Sequence, residues 1–259
     1  MGIFDKIWNW IDKKGHISDI PLKAMPDYTL NITYWIGGLL AAAFFYQALT
    51  GMVLMLYYLP GQDSAYKSTE YIMNSVPFGN LLLTSHQYMA YAMIFLVFVH
   101  FFRNYFIGAY KKGRELTWIV GVLMSVVVIL MGFTGYFLPY TEISVDATDV
   151  GIGMAKIIPF IGSFLAGLIS GNGTLSSEFS RILDFHVLIL PAILLLLLGV
   201  HMYLYEKNEA APPLDLNHKV VNKRRIKWFP VFFAYSLAIG FLLYGVVIIL
   251  SAVFPLTLP

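Results

Sequence analysis

Four of the six histidines lie inside apolar sequence, at positions 86, 100, 186 and 201. Imidazole is costly in hydrocarbon, so each of these positions asks for a ligand or a partner. His86 and His100 are 14 residues apart. That is about four whole helical turns, so the two rings share a face and stand ~21 Å apart along the axis. His186 and His201 are 15 residues apart, about 60° from a common face. If the two helices run the same way, His86 and His186 form one level, and His100 and His201 another. Facing imidazoles at two matched depths can ligate two stacked b-type hemes by bis-imidazole coordination. A single intramembrane histidine also serves as a proton relay or an interhelical hydrogen bond. Two level pairs are harder to obtain that way, and two ligands make a poor bare zinc site.

Two pairs of glycines repeat the histidine spacing. Gly37 and Gly51 are 14 residues apart in one apolar stretch, as are Gly121 and Gly135 in another. A heme edge pressed against a helix needs a position with no side chain. The glycine helices are therefore expected to be walls of a four-helix heme bundle.

The elements that must position these residues follow from hydropathy. Of the 259 residues, 58% are hydrophobic and 12% charged, with mean hydropathy +0.70. Soluble domains usually carry about twice that charge. Stretches 32–58, 80–106, 116–138, 182–205 and 229–254 are each long enough to span a ~30 Å hydrocarbon core. The predicted fold class is an all-α membrane protein: a four-helix transmembrane diheme bundle followed by a fifth transmembrane helix. Residues 1–30 form an N-terminal segment in which Ile3, Phe4, Ile7, Trp8 and Ile11 recur at the spacing of an amphipathic surface helix. The bundle is assigned to 31–205, a basic loop to 206–228 and the additional helix to 229–259. With no cysteine in the chain, disulfides, thiolate metal sites and thioether-linked heme within it are excluded.

Basic residues orient the spans. Fourteen of the 17 lysines and arginines lie in residues 1–30, in the second connection (Arg103, Lys111, Lys112, Arg114) or in the fourth (Lys207, Lys219, Lys223, Arg224, Arg225, Lys227). Only Lys67, Lys156 and Arg181 lie opposite. The basic side is called the n side, the other the p side, and the N-terminus is expected on the n side. His86 and His186 then form the p-side level. The third connection, 139–181, exceeds the length of most structureless loops and is expected to be functional.

From residue 30 to about 205 the chain resembles the cytochrome b family of Rieske/cytochrome b (bc1/b6f-like) complexes, most closely the short b6-type form. The resemblance rests on the two histidine pairs, RELTW at 114–118, GFTGYFLP at 132–139 and IPFIG at 158–162. It implies two non-covalent b-type hemes, quinol oxidation near the p side, electron transfer across the membrane and quinone reduction near the n side, with proton translocation. It places Tyr136, Pro139 and Glu142 at the quinol-oxidation pocket and residues 142–155 on a partner-docking surface helix. Arg103 and Arg114 become candidates for heme propionates; both also fit ordinary positive-inside charges, and Tyr136 fits an interfacial aromatic anchor. The implied setting is an energy-transducing membrane, such as the cytoplasmic membrane of a prokaryote, in a dimeric complex that contacts lipid and quinone but no nucleic acid.

Departures from the family pattern carry further expectations. Trp35 stands where b6-type chains have a cysteine, so no covalent third heme is expected. Leu83 and Gln87 replace basic residues common around the first histidine. Leu138-Pro139-Tyr140-Thr141-Glu142, with Asp146 and Asp149, replaces an LPW-x-Q element and makes the p side acidic. The expected electron acceptor is a Rieske iron–sulfur protein or a c-type cytochrome. The fifth span resembles the first helix of the family's C-terminal half, while PEWY does not occur in the sequence; a separate subunit is expected to supply it. Asp215 and His218 are candidate n-side proton donors, but a solvated surface loop accounts for both better. The rival readings are a diheme quinone-reactive anchor of another respiratory oxidoreductase, a proton-relay transporter and a cofactor-free assembly subunit.

Overall fold

The computed structural model describes residues 24–171, 174–213, 225–227 and 232–258, together with 2, 6 and 9. The amphipathic N-terminal segment, Asp215 and His218 lie outside the described residues or nearly so. Five helices are long and apolar enough to cross a membrane, and the protein is an integral membrane protein of the all-α class. They are α1 (Ile36–Leu54), α3 (Gly79–Phe106), α4 (Glu115–Phe137), α8 (Leu190–Asn208, within the span from Ser177) and α9 (Phe233–Val253). Between them lie α2 (Ala65–Asn74), α5 (Glu142–Lys156), α6 (Gly162–Ser170) and α7 (Leu175–Asp184).

The first apolar stretch is shorter as a helix than its hydropathy suggests. Asn31 accepts from the Thr33 amide and starts a separate 3-10 turn over Ile32–Tyr34, so α1 begins only at Ile36. The connection after it contains α2, a helix that hydropathy did not reveal because it is not apolar throughout. Gly79 begins α3 where a Cβ would run into the Ile72 carbonyl of α2. The long third connection is itself helical, and α5 matches the expected surface helix. Thr141 caps it by accepting from the Ser144 amide, and Glu142 and Lys156 sit at the ends that suit their charges.

The fourth span contains a local defect beside His186. Between α7 and α8, residues Phe185–Ile189 form a π turn in which the Leu190 N–H reaches the Phe185 carbonyl. Pro191 follows at the start of α8. Proline has no N–H to give to an i−4 carbonyl and crowds that carbonyl, and a widened turn accommodates both problems.

Packing organises the spans as two pairs, α1 with α3 and α4 with α8. Ala43, Phe44, Met89, Met93, Val97, Val127, Val128, Leu190 and Leu194 form one buried core across all four helices. On α3, Met89, Met93 and Val97 fall at helical spacing between His86 and His100, so the stripe that carries the histidines is the stripe that packs. Helix α9 lies against α3 and α1. Tyr244 donates to the Ala42 carbonyl at 2.7 Å, Tyr88 to the Phe254 carbonyl at 2.7 Å, and the Trp35 and Tyr235 rings are 4.9 Å apart. At the n end a two-stranded antiparallel pair, β1 (Ala24–Pro26) and β2 (Arg225–Lys227), sets Met25 opposite Ile226. It ties the N-terminal segment to the loop before α9, two regions read separately from sequence.

Candidate heme-binding site

Each of the four intramembrane histidines faces one of the four spaced glycines. A Cβ on Gly51 would lie 3.3 Å from His86 Cε1, and one on Gly37 3.3 Å from His100 Cε1. On the other helix pair the distances are 2.6 Å from Gly135 to His186 Cε1 and 3.4 Å from Gly121 to His201 Cε1. A methyl at Gly135 would collide with the imidazole, while one at Gly37, Gly51 or Gly121 would press against it. The spacing of 14 residues thus repeats on the wall helices because each wall glycine faces one imidazole. The π turn explains the 15-residue interval on the fourth span. Three α turns and one widened turn take about 15 residues, so the extra residue is absorbed near His186 and the two rings keep a common face.

At the p-side level the His86 and His186 ring centroids are 6.4 Å apart. Thr50 Oγ1 lies 2.8 Å from His86 Nδ1 and donates its one proton to the Tyr46 carbonyl at 2.7 Å. The hydroxyl oxygen must then accept from His86 Nδ1–H. His186 Nδ1 is 3.0 Å from the Met131 carbonyl and 3.2 Å from Thr134 Oγ1. A carbonyl only accepts, so this nitrogen also carries its proton. Both rings are therefore held as Nδ1–H tautomers with the Nε2 lone pair available, the protonation state that histidine ligands use. Two imidazoles on opposite sides of one metal, each bonded at about 2 Å, have centroids about 6 Å apart. The p-side pair fits that arrangement.

At the n-side level the surroundings differ. His100 Nε2 lies 3.1 Å from Asn104 Nδ2, and Asn104 Oδ1 accepts from Arg103 Nη1 at 2.9 Å. The Nδ1 atoms of His100 and His201 are buried with no hydrogen-bond partner; the Thr117 carbonyl approaches His201 without completing one. Among the described residues no three of His, Cys, Asp and Glu cluster to enclose a bare ion. Each level is a two-ligand set, which suits a metal whose other four positions are filled by a macrocycle. The p-side residues fit a heme as they stand, and the n-side residues fit one once the Asn104 amide leaves His100 Nε2.

The arginines expected near heme propionates are engaged with protein. Arg103 stacks over the Tyr34 ring at 3.8 Å and lines a cavity of about 280 Å³ with Asn31, Thr33, Tyr34, Ile107 and Pro213. Arg114 donates from Nε to the Glu209 carbonyl at 3.0 Å, and Arg225 pairs with the Glu209 carboxylate at 2.9 Å. Glu209 has φ +60°, a strained conformation for a side-chain-bearing residue, and the two arginines hold it from both sides. Nearby, Tyr28 donates to the Ala210 carbonyl at 2.7 Å. Burial first, then Tyr34 and Glu209, push its hydroxyl up to about 12.

On the p side, Tyr140, Glu142, Val145 and Asp146 line a cavity of about 320 Å³. Of the three residues assigned to a quinol pocket, Glu142 lines this cavity, while Tyr136 is exposed on α4 and Pro139 is half-buried beside it. Tyr140 has φ +55° and packs against Phe137 and Phe179. Burial and the carboxylates of Glu178, Asp149 and Asp63 raise its hydroxyl above the ordinary tyrosine value. Thr50, Thr134, Asn104 and the π turn were not recognised from sequence. One signal was available: both p-side glycines are preceded by threonine, as Thr50-Gly51 and Thr134-Gly135.

Comparison with known proteins converges on one family. Residues 91–259 match the family model described as cytochrome b (N-terminal)/b6/petB. The chain is 37% identical to the cytochrome b of Sulfolobus acidocaldarius over 95% of its own length, and spans 46% of that relative. It is 37% identical to the cytochrome b6 of Heliobacterium modesticaldum over 80% of its length, and spans 100% of that shorter protein. A solved hyperthermophilic respiratory Complex III contains a similar chain, with TM-score 0.77 and 28% identity over 93% of this protein and 66% of that chain. The chain therefore spans about half of the longer cytochrome b and all of the short b6. With five membrane-spanning helices, two histidine levels and a wall glycine behind every ring, the chain belongs to the cytochrome b/b6 family.

Proposed function

We propose that the protein is the diheme cytochrome b subunit of a quinol-oxidising bc1/b6f-like complex, with His86 and His186 ligating a p-side heme and His100 and His201 an n-side heme. The observation that carries this reading is the contact of each histidine with its own wall glycine at two depths. Bound heme would supply reversible one-electron chemistry at each level. The chain's own residues do the rest. The Nδ1 hydrogen bonds orient His86 and His186. The packed stripe of Met89, Met93 and Val97 keeps water from the region between the levels.

The finer assignments rest on this reading. Tyr136, Pro139 and Glu142 line a quinol site on the p side, with Glu142 and Asp146 able to hold protons at their carboxylates. Arg103 and Arg114 are within the n-side cluster from which heme propionates are bound, which requires Arg103 to leave the Tyr34 ring. The p-side acceptor is a Rieske iron–sulfur protein or a c-type cytochrome that meets α5. The setting is an energy-transducing membrane with the Arg103, Arg114 and Arg225 end on the n side.

The test is a dithionite-reduced minus oxidised spectrum with pyridine hemochrome quantification on protein isolated with its native partners. Two extractable b hemes per chain are expected. Replacing His100 or His201 by alanine should remove only the n-side signal. Absence of heme, or a variant that keeps both signals, would overturn the ligand assignment.

A further inference from the structure

The two histidine levels are built from the same parts but are not chemically equal. On the p side, the residue before each wall glycine is a threonine whose hydroxyl meets an imidazole Nδ1: Thr50 with His86 at 2.8 Å and Thr134 with His186 at 3.2 Å. Each hydroxyl spends its proton on the carbonyl one turn back, Tyr46 at 2.7 Å and Leu130 at 2.9 Å. Each is left as an acceptor aimed at the ring, alone at His86 and beside the Met131 carbonyl at His186. Both threonines are buried, so water does not compete for these bonds. On the n side the residues before the glycines are Ile36 and Val120, which have no polar group, and the Nδ1 atoms of His100 and His201 are buried without a partner.

Resting on the diheme reading, we infer that Thr50 and Thr134 are positioning residues that lower the reduction potential of the p-side heme and leave the n-side heme untouched. An Nδ1–H that donates a hydrogen bond pushes electron density to Nε2 and makes the imidazole a stronger donor to its metal. Stronger donation favours the oxidised, more positive iron over the reduced one in a one-electron Fe(III)/Fe(II) couple. The effect is greatest where the surroundings are dry and the dielectric low. The p-side ligands have it twice. The n-side ligands have no hydroxyl acceptor, and only the Thr117 carbonyl approaches one of them, His201.

The experiment is an equilibrium redox titration of the α-band in the assembled complex, comparing wild type with Thr50→Val, Thr134→Val and the double variant. Valine keeps the branched shape and removes the acceptor. The p-side midpoint should rise most in Thr50→Val, which leaves His86 Nδ1–H without an acceptor, rise less in Thr134→Val, where the Met131 carbonyl 3.0 Å from His186 Nδ1 still accepts, and rise furthest in the double; the n-side midpoint should stay, and Thr50→Ser and Thr134→Ser should behave as wild type. Retention of both hemes with an unmoved p-side midpoint would overturn the inference, as would equal movement of both midpoints or serine variants that shift like valine. Should a valine variant lose its p-side heme, resonance Raman of the wild type decides. The p-side iron–imidazole stretch should lie above the n-side one, and coincident frequencies would overturn the inference. Wild-type protein without heme would instead overturn the diheme reading itself.

Discussion

Gly135 and His186 make the tightest of the four glycine–imidazole contacts. A Cβ on Gly135 would stand 2.6 Å from His186 Cε1, against 3.4 Å for the corresponding contact of Gly121 with His201. The difference separates two otherwise similar positions. Gly135→Ala must displace the ring or the helix, while Gly121→Ala needs only a small adjustment. Gly135→Ala is expected to leave roughly half the heme, with the p-side signal missing. Gly121→Ala should keep both signals. Heme-to-protein ratio and the reduced-minus-oxidised spectrum check both outcomes.

The π turn makes a prediction about chain length. Leu188 lies within it and points outward, as does Leu196 in the regular part of α8. Deleting Leu188 together with Pro191→Ala removes the extra residue and the proline that pins the turn, and lets a plain helix carry the histidines 14 residues apart, about four turns. Deleting Leu196 leaves the π turn pinned by Pro191 and rotates His201 by about 100°. The Leu188 deletion with Pro191→Ala should retain both hemes, and the Leu196 deletion should lose one. Equal heme loss in the two would show that the turn does not set the register.

Tyr28 gives a pH dependence. Its hydroxyl is held protonated up to about 12, above the ordinary value of 10, chiefly by burial. In the unfolded chain it ionises near 10, so between about 10 and 12 the folded protein binds more protons than the unfolded one, and stability falls as pH rises. The contribution is fully present below pH 10. Melting of the protein in detergent should weaken across that window, and Tyr28→Phe should flatten the dependence. An unchanged slope in the variant would assign the effect to another group.

Trp35 joins the bundle to α9. Its Nε1 donates to the Thr29 carbonyl at 2.9 Å, and its ring lies 4.9 Å from that of Tyr235. Trp35→Phe keeps the ring contact and loses the hydrogen bond, at about 1 kcal/mol. Trp35→Ala loses both, at about 2 kcal/mol. Denaturation midpoints should fall in that order. An alanine variant as stable as wild type would mean that α9 is held by Tyr244 and Tyr88 alone.

Much of this protein is legible in its residues. Hydropathy marked the five spans to within a few positions, because a ~30 Å apolar solvent demands long apolar helices. The histidine and glycine intervals announced two levels, because α-helical geometry converts a 14-residue interval into one shared face. Other features depend on how the helices are turned and paired. That Gly51 meets His86 while Gly135 meets His186 follows from α1 packing on α3 and α4 on α8, which no single helix encodes. Thr50 and Thr134 reach the rings only because that packing aims their hydroxyls inward. The 15-residue interval looked misaligned by about 60° until the Leu190 N–H reached past one carbonyl to Phe185. The β1–β2 pair joins segments about 200 residues apart, and its hydrogen bonds exist only once the fold has brought them together. Sequence alone determined which intramembrane side chains are imidazoles and at what depths they sit, since those are properties of residue type and helical rise. Tertiary structure decided which wall glycine meets which histidine and what each imidazole Nδ1 bonds, since those depend on contacts between helices.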